Sequence, residues 1–578
     1  MSTLRLALGQ INPRLGDFVH NSKLICQMAS SAQAEGSDLL AVGELALTGY
    51  PLEDLALNPS FLKAAQLALE ELAMQLVHDG SGELAVIVGH PSGPVAPEKD
   101  SVKDPWTPED PIAFNSASLL FQGKVTPLHQ KHHLPNYAVF DEQRTFLSGS
   151  KTRYLNVHGF LIAVIICEDL WRFEGPVAQA KEAGVDLILT INASPYTLDK
   201  DELRSSLLLQ RAEETAADIA YVNIFGGQDE LVFDGQSMVV SASGTLLAQA
   251  SQFQEELLLT DLSLQAKQHR KVIENTLNLN GNSSDRSVLP AHTVQDLHGE
   301  LAQIWEALSL GLKDYVQKNG FSSVILGLSG GIDSAVCAAL AVDALGADHV
   351  YGVSMPSIYS SDHSKDDAHD LAERTGLHYR VEPIAELVAP IEQQLKLEGI
   401  AAENAQARIR AMILMGISNS EGQLVLTTGN KTEVAVGYST IYGDSVGAYA
   451  PIKDVLKTLV WDLANWRNEE AISLGLVPPI PENSITKPPS AELRPGQTDQ
   501  QSLPEYPILD KIVAGFIVEQ KSIAELVAEG FEAETVQRIY GLIKNSEWKR
   551  HQSTLGPKIT ARSFGKDRRF PITNRYQG

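Results

Sequence analysis

Three residues whose side chains can together cleave an amide bond each follow an apolar run in the first half of the chain. Glu44 follows Leu39–Val42, Cys167 follows residues 161–166, and Lys131 comes after a third candidate strand. Because α/β sheets place their sites at the carboxyl ends of strands, the acid, the cation and the thiol are expected to meet. There the cation would lower the pKa of the thiol and stabilise an oxyanion, and the carboxylate would transfer protons.

Taken singly, each of these residues has an ordinary structural explanation. Cys167 would be a buried core cysteine, Glu44 a helix cap or an exposed loop acid, and Lys131 a surface lysine. The motifs around them are more specific: GELALTGYP at Glu44, KHHLPNYAVFDEQR at Lys131, CEDLW at Cys167 and YVNIFGGQDELVFDGQS at residues 221–237. In these motifs, residues 1 to about 265 resemble the nitrilase-like, or carbon–nitrogen hydrolase, family.

This resemblance implies an α-β-β-α sandwich and a cysteine amidase mechanism. Cys167 would be the nucleophile that forms a thioester, Glu44 the general base and acid, and Lys131 the oxyanion stabiliser. The resemblance also implies that the amide substrate is glutamine. The implied glutamine-binding residues are Tyr137, Ser194 and Lys200.

A second kind of chemistry is indicated where residues 324–328, an apolar run, lead into the sequence SGGIDS at 329–334 and a predicted helix. Glycines let the backbone approach a polyanion, and the free N–H groups at a helix start bind phosphate oxygens. A bare Gly-Gly pair after a strand is more often only a tight turn. No lysine follows the glycines, so the motif is not the common P-loop.

Later motifs make this loop more specific. They are MPS at 355–357, ENAQARIR at 403–410, TTGNKTE at 427–433, YGD at 442–444, KD at 453–454 and KIT at 558–560. Together with SGGIDS they resemble the NAD synthetases, a family of ATP pyrophosphatases, over residues 296 to about 575. Thr432 stands where that family usually has serine, a change that we expect to be harmless.

The second resemblance implies that ATP is cleaved between its α and β phosphates to adenylate a substrate, deamido-NAD. The implied ATP-binding residues are Gly327, Leu328, Ser329, Gly330, Gly331, Ile332, Asp333, Ser334 and Thr428. The implied deamido-NAD-binding residues are Asn404, Arg408, Glu433 and Lys549. Asp333 and Glu433 are also the implied ligands of Mg²⁺, so Glu433 has two candidate roles that the sequence does not separate.

The pattern of apolar residues predicts two α/β domains. In the first half, strands are predicted at 4–11, 39–42, 84–88, 161–166 and 187–191, helices at 61–77 and 205–217, and a hairpin at 233–250. In the second half, a helix at 296–318, a strand at 323–328, a helix at 333–345 and a later strand at 424–427 predict a doubly wound parallel sheet. Combined with what the two resemblances imply, this pattern predicts three regions: a nitrilase-like glutamine amidohydrolase domain at 1–270, a linker at 271–295, and a Rossmann-like ATP pyrophosphatase domain of the NAD synthetase type at 296–578.

Composition narrows the classes of partner and the compartment. With 46 Lys and Arg against 72 Asp and Glu, the formal net charge of −26 disfavours nucleic acid and membrane surfaces as partners. The three cysteines, Cys26, Cys167 and Cys337, form no CxxC motif, which argues against a disulfide framework and a structural zinc site. The absence of a signal sequence and of a long apolar run predicts a cytoplasmic protein.

The two resemblances together imply an enzyme that amidates deamido-NAD to NAD, using ATP and ammonia released from glutamine. They imply small-molecule substrates and a homo-oligomer. Three alternatives remain: an amidotransferase that acts on a purine nucleotide or a tRNA base, a non-catalytic binding protein, and an enzyme that uses free ammonia. The negative charge disfavours tRNA. The presence of Glu44, Lys131, Cys167, Asp333 and Glu433 disfavours the other two.

Overall fold

The computed structural model describes residues 3–94, 111–263, 275–279, 289 and 297–576. The chain divides into two compact units, one of Met1–Gln228 with Phe233–Leu297 and one of Asp229–Val232 with His298–Gly578. Most of the predicted linker, 271–295, lies outside the described residues. Within the described ranges, no helix has the length and apolar character needed to span a membrane.

The strands between residues 3 and 279 form two sheets. These strands are β1 (Thr3–Gln10), β2 (Leu39–Val42), β3 (Ala85–Ser92), β4 (Phe114–Phe121), β5 (Lys124–Gln130), β6 (Tyr154–Val157), β7 (Phe160–Ile166), β8 (Leu187–Asn192), β9 (Asp218–Asn223), β10 (Phe225–Gln228), β11 (Leu231–Asp234), β12 (Met238–Val240), β13 (Leu246–Gln249), β14 (Glu256–Ser263) and β15 (Thr276–Leu279). One sheet has the order β14-β1-β2-β3-β4-β5 and the other β13-β12-β9-β8-β7-β6-β15, while β10 and β11 pair separately.

Helices cover the outer faces of both sheets. They are α1 (Phe18–Ala34), α2 (Pro59–His78), α3 (Glu142–Thr145), α4 (Glu168–Trp171), α5 (Pro176–Ala183) and α6 (Lys200–Thr215), with a short 3-10 helix at Glu53–Leu57. Buried residues of α1 and α2 pack on the six-stranded sheet, and those of α5 and α6 pack on the seven-stranded sheet. The α-β-β-α sandwich that the sequence predicts is therefore present.

Strand β7 shows why these strands are apolar along their whole length. Ile162 and Val164 face the layer between the two sheets, whereas Leu161 and Ala163 face the helices. Because successive side chains of a strand point to opposite faces, a strand covered on both sides needs apolar residues at every position. The catalytic candidates lie just beyond such strands, where the apolar run ends.

The second unit has a small parallel sheet surrounded by helices. Its strands are β16 (Val324–Gly327), β17 (Val350–Ser354), β18 (His378–Val381) and β19 (Leu424–Val425). Its helices are α7 (Glu300–Lys318), α8 (Ile332–Leu345), α9 (Asp362–Thr375), α10 (Ala385–Leu395), α11 (Ile400–Glu421), α12 (Lys431–Val436), α13 (Lys457–Ser473), α14 (Glu482–Thr486), α15 (Tyr506–Ile517), α16 (Ile523–Ala528), α17 (Ala533–Asn545) and α18 (Glu547–Arg550), with 3-10 turns at Ala347–His349 and Asp499–Gln501.

In the strand order β18-β17-β16-β19, β16 is the topological switch point, where the strand order reverses. The chain runs from β16 to β17 and β18 on one side, and β19 then pairs with the other side of β16. Ligands of open α/β sheets bind outside the carboxyl end of the strand at such a switch point. The loop after β16 is the one that carries the SGGIDS sequence.

Several predicted elements differ in extent from the observed ones, most clearly one hairpin and one strand. The hairpin predicted at 233–250 consists of β12 and β13 only, since Phe233 belongs to β11, which pairs with β10. The strand predicted at 424–427 is limited to Leu424–Val425, and Leu426 after it forms an isolated bridge with Tyr449.

Candidate active sites

A buried lysine joins two acids in the first unit. Lys131, which follows β5, places its Nζ 2.6 Å from Oε1 of Glu44, which follows β2. The same Nζ donates to Oε1 of Glu142 at 2.9 Å. Burial alone would lower the pKa of Lys131, but Glu142 and Glu44 raise it well above its ordinary value. The buried ammonium group therefore stays charged.

The carboxylate of Glu44 is held in one orientation. Nδ2 of Asn115 donates to its Oε1 at 2.7 Å, and the backbone N–H of Ala193 donates to its Oε2 at 3.1 Å. Glu142 receives a further hydrogen bond of 2.9 Å from the Tyr50 hydroxyl. Burial raises the pKa of Glu142 to about 7, although Lys131 opposes the shift.

Cys167 occupies the turn between β7 and α4. Its backbone has φ 43° and ψ −97°, a region that costs about 1–3 kcal/mol for a residue with a side chain. Its N–H donates to the carbonyl of Ile191 at 3.1 Å. Burial and the charge of Glu44 raise the pKa of the thiol, and Lys131 lowers it without offsetting the rise. The free site therefore holds a thiol that needs a base, and Glu44, like Glu142, is a buried carboxylate bonded to Lys131.

The three candidate glutamine residues come from separate segments of the first unit. Tyr137 is half exposed, and its hydroxyl donates to Oε2 of Glu168 at 2.8 Å. Ser194 follows β8 and is buried, with its N–H bonded to Oδ1 of Asn223 at 2.9 Å. Lys200 is the first residue of α6. Glu168 directly follows Cys167, so Tyr137 is tied to the nucleophile turn.

The loop after β16 is closed by short hydrogen bonds. The hydroxyl of Ser334 donates to the carbonyl of Gly331 at 2.9 Å, and the N–H of Gly331 donates to Oγ of Ser329 at 3.2 Å. Gly330 has φ +76°, and a Cβ there would lie 2.2 Å from the carbonyl oxygen of Ser364. Glycine is therefore required at 330 by both conformation and space. Residues 327–334 thus bring backbone groups and the start of α8 together, as a phosphate site needs.

A second buried lysine lies between Asp333 and Glu433. Nζ of Lys457 donates to Oδ2 of Asp333 and lies 3.6 Å from Oε1 of Glu433. Burial alone would lower the pKa of Lys457, but Asp333 and Glu433 raise it. Burial and the charge of Asp333 raise the pKa of Glu433 to about 8. Asn430 completes the group, since its Nδ2 donates to Oδ1 of Asp333 at 2.8 Å.

The donor set of Asp333 and Glu433 fits Mg²⁺. Both are carboxylates, and Mg²⁺ is commonly held by one or two carboxylates with water and substrate phosphates as its other ligands. Across the described ranges, no cluster of three or more His, Cys, Asp or Glu side chains could hold a metal on its own. The residues therefore suit an ion that arrives with a nucleotide.

Asn404, Arg408 and Lys549 all hold the segment 437–441. Oδ1 of Asn404 accepts from the hydroxyl of Thr440 at 2.7 Å, and Nε of Arg408 donates to the carbonyl of Ile441 at 3.2 Å. Nζ of Lys549 donates to the carbonyl groups at 437 and 439, each at 2.8 Å. The structure thus gathers three of the four candidate dinucleotide residues around one loop.

A pocket lies beside this loop. Candidate residues of both substrates line it, Thr428 for ATP and Glu433 and Lys549 for deamido-NAD. Glu433 lines this pocket and also contacts Lys457, so it belongs both to the pocket and to the group at the start of α8.

Comparison with known proteins covers nearly the whole chain. The model of the carbon-nitrogen hydrolase family matches residues 5–271, and that of the NAD synthase family matches residues 304–553. The chain is 42% identical to the glutamine-dependent NAD(+) synthetase of Aquifex aeolicus over 99% of this chain and 100% of that protein. It is 41% identical to the protein of that name from Xanthomonas campestris over 100% of this chain and 98% of the relative.

The chain belongs to the glutamine-dependent NAD(+) synthetase family. A solved member from Acinetobacter baumannii, in complex with adenosine diphosphate, is 36% identical and covers 99% of both chains with a TM-score of 0.72. The member from Cytophaga hutchinsonii, 22% identical with a TM-score of 0.78, shares the fold over 99% of this chain and 98% of that one.

For this member of the synthetase family, sequence reasoning missed the partners of the candidate residues. Glu142 lies inside the quoted KHHLPNYAVFDEQR motif but was not singled out. Lys457 lies three residues after the KD motif. Asn430 lies within TTGNKTE, whereas Asn115 lies in no distinctive local pattern. A buried charge needs a partner. The sequence therefore indicates that such partners exist, but it does not identify them.

Proposed function

We propose that this chain amidates deamido-NAD to NAD, using ATP and ammonia that it releases from glutamine. The observation that carries the proposal is the buried contact of 2.6 Å between Lys131 and Glu44, whose charges both act on Cys167. The same chain contains the glycine loop with Asp333 and is 41–42% identical to proteins named for this activity.

In the proposed first reaction, the sulfur of Cys167 attacks the side-chain amide of glutamine while Glu44 takes the thiol proton. Lys131 stabilises the oxyanion, and Glu44 returns the proton to the leaving nitrogen, so the C–N bond breaks and ammonia departs. Water, deprotonated by Glu44, then hydrolyses the thioester to glutamate and restores the thiol. Tyr137, Ser194 and Lys200 are the proposed glutamine-binding residues.

In the proposed second reaction, the carboxylate of deamido-NAD attacks the α-phosphorus of ATP and pyrophosphate leaves. Ammonia then attacks the acyl adenylate, loses a proton and displaces AMP. Residues 327–334 and Thr428 bind ATP, while Asn404, Arg408, Glu433 and Lys549 bind the dinucleotide. Asp333 and Glu433 would hold Mg²⁺, which when bound neutralises charge on the phosphates. Lys457 is placed to supply positive charge to both acids or to the pyrophosphate.

Three further predictions of the sequence are retained as proposals. The first is the division into domains at 1–270 and 296–578 joined by a linker, supported by family matches that end at 271 and begin at 304. The second is a homo-oligomer, which light scattering would test. The third is a cytoplasmic location, supported by Cys26, Cys167 and Cys337, which are all free thiols.

Product analysis of the wild type and Cys167→Ala tests the function. Each is given deamido-NAD, ATP and Mg²⁺ with either glutamine or ammonium. The wild type should form NAD and AMP from both nitrogen sources, and the variant only from ammonium. Cys26→Ala, at a half-buried position of α1, is the matched control and should use both sources. If Cys167→Ala still used glutamine, the assignment of Cys167 as the nucleophile would be wrong. If the wild type formed no NAD from either nitrogen source, the assignment of deamido-NAD as the substrate would be wrong.

A further inference from the structure

Asp169 lies two residues after Cys167 and is fully buried, yet it has no part in the proposed chemistry. Its carboxylate accepts hydrogen bonds from four donor groups of three histidines: Nε2 of His129 at 2.7 Å, N of His132 at 3.1 Å, and N and Nδ1 of His133 at 2.9 Å and 3.1 Å. We call these four residues the Asp169 cluster.

The Asp169 carboxylate is ionised in this cluster. Burial raises its pKa, but the hydrogen bonds from His129 and His133 lower it by more, so it lies below the ordinary value. His132 stacks on His129, with ring centroids 5.1 Å apart, and burial and His129 lower the pKa of His132. A charge-assisted network with this many donors is a rigid connection, since each bond restricts the others.

The donors lie on both sides of Lys131 in the chain. His129 is two residues before it, and His132 and His133 are the two residues after it. The acceptor belongs to α4, whose first residue directly follows Cys167. One carboxylate therefore ties the segment that carries the lysine to the turn that carries the thiol, although the two are 36 residues apart.

Both tied elements need external support. Cys167 is held at φ 43°, which the surrounding structure must impose. Lys131 is held by Glu44 and Glu142, which belong to other segments of the chain than the turn of Cys167. A misplacement of about 1 Å between reacting groups can cost about 10² in rate.

We propose that Asp169 is a positioning residue that sets the place of the Lys131 ammonium against the Cys167 thiol. This inference rests on the proposed glutaminase function and extends it. The charged groups that face the thiol are Glu44, Lys131, Glu142 and Glu168, and among them Lys131 is the one that lowers the pKa of the thiol. Loss of the Asp169 cluster would therefore displace the Lys131 ammonium, the one charge that favours the thiolate of Cys167.

Asp169→Asn tests the inference, because it keeps the shape and removes the charge. The expected result is a loss of about 10–100-fold in glutamine-driven kcat with the KM for glutamine unchanged. NAD formation from ammonium should stay within twofold of the wild type, about the precision of the comparison. Alkylation of Cys167 by iodoacetamide, followed by mass spectrometry across pH, should shift to higher pH in the variant. His129→Gln, which alters one of the four donor groups, should shift it less in the same direction.

Asp186→Asn is the matched control, since Asp186 is a buried aspartate that accepts from the N–H of Leu161 near the start of β7, the end away from Cys167. It should leave the alkylation profile unchanged. An unshifted profile in Asp169→Asn, or an equal fall in activity with glutamine and ammonium, would overturn the inference. If the wild type makes no NAD at all, the proposed function fails, whereas the alkylation profile still decides the role of Asp169.

Discussion

Each unit of the chain places a buried lysine between two carboxylates, but the two groups differ in how far the carboxylates are exposed to solvent. In the first unit, Lys131 contacts Glu44 and Glu142 at 2.6–2.9 Å, and all three side chains are almost fully buried. In the second unit, Lys457 is as deeply buried, but the side chains of Asp333 and Glu433 are both 18% exposed.

The difference follows from where the reacting charges come from. In the proposed amidase, the nucleophile, base and cation are all side chains, so the group can be closed and preorganised before glutamine binds. In the proposed synthetase, the phosphates and the metal ion come from solution. Asp333 and Glu433 must therefore stay accessible, and the lysine balances their charge.

The largest expected effects come from the acids of the two groups. Glu44→Gln should lower glutamine-driven NAD formation by about 10³-fold, because the thiol loses its base, and leave ammonium-driven formation intact. Asp333→Asn should lower formation from both nitrogen sources by about 10²–10³-fold while glutaminase activity persists. Initial rates of NAD and glutamate release measure both. An ammonium-driven rate that falls with Glu44→Gln would contradict the independence of the groups.

Substitution of each lysine should also distinguish the two groups, with smaller losses of rate than substitution of the acids. Lys131→Met should reduce the glutamine-driven kcat by about 10²-fold through loss of oxyanion stabilisation. Lys457→Met should reduce the rate from either source. It also leaves Asp333 and Glu433 without the buried cation between them, so the midpoint of urea unfolding should also fall. If Lys457→Met changed stability but not the rate, the lysine would serve only to balance charge in the free protein.

Much of the fold and the reactive residues can be predicted from local sequence. Leu39–Val42 was predicted with its observed bounds, because a strand buried on both faces must be apolar throughout. Glycine at 330 is likewise detectable, since a phosphate loop requires it. The strand of only two residues at Leu424–Val425 is followed by a bridge from Leu426 to Tyr449, which no local pattern encodes.

The partners of those residues could not be predicted in the same way. Lys131 is 87 residues from Glu44, and Lys457 is 124 residues from Asp333. A single glutamate such as Glu142 at the start of a short helix has the sequence pattern of any helix N-terminus. Its burial against Lys131 is a tertiary event that depends on the packing of β5, and it is visible only when the chain is folded.

The pH dependence of stability sharpens the comparison further. The pKa of Glu142 is raised to about 7 and that of Glu433 to about 8, from an ordinary value of 4.5. Between pH 4.5 and the raised pKa of each group, the folded protein retains a proton that the unfolded chain has lost. Each group therefore contributes stability that is fully present below pH 4.5 and is lost as the pH rises through the folded pKa. Glu433→Gln lacks this loss, and its thermal midpoint relative to the wild type should therefore rise by a few degrees from about pH 5 to pH 8.

Glu142→Gln is the matched variant for the first unit. Its gain over the wild type should be complete nearer pH 7 than pH 8. Thermal unfolding of both variants and the wild type, measured at half-unit steps of pH, compares the two groups directly. Equal, pH-independent shifts in both variants would show that lost contacts, not titration, determine the stability.

The smallest expected effect is at Thr432, in the TTGNKTE sequence. Its hydroxyl donates to Oδ1 of Asp510 at 2.5 Å and accepts from the backbone N–H of Lys457 at 3.0 Å. Thr432→Ser keeps both bonds and removes one buried methyl group, so it should cost about 1 kcal/mol or less and leave the rate unchanged. Thr432→Val keeps the methyl group but removes the hydroxyl, and should cost about 1–3 kcal/mol. Urea unfolding and ammonium-driven kcat measure both variants. A larger loss in Thr432→Ser would mean that methyl packing, and not the hydroxyl, holds Lys457 between its two acids.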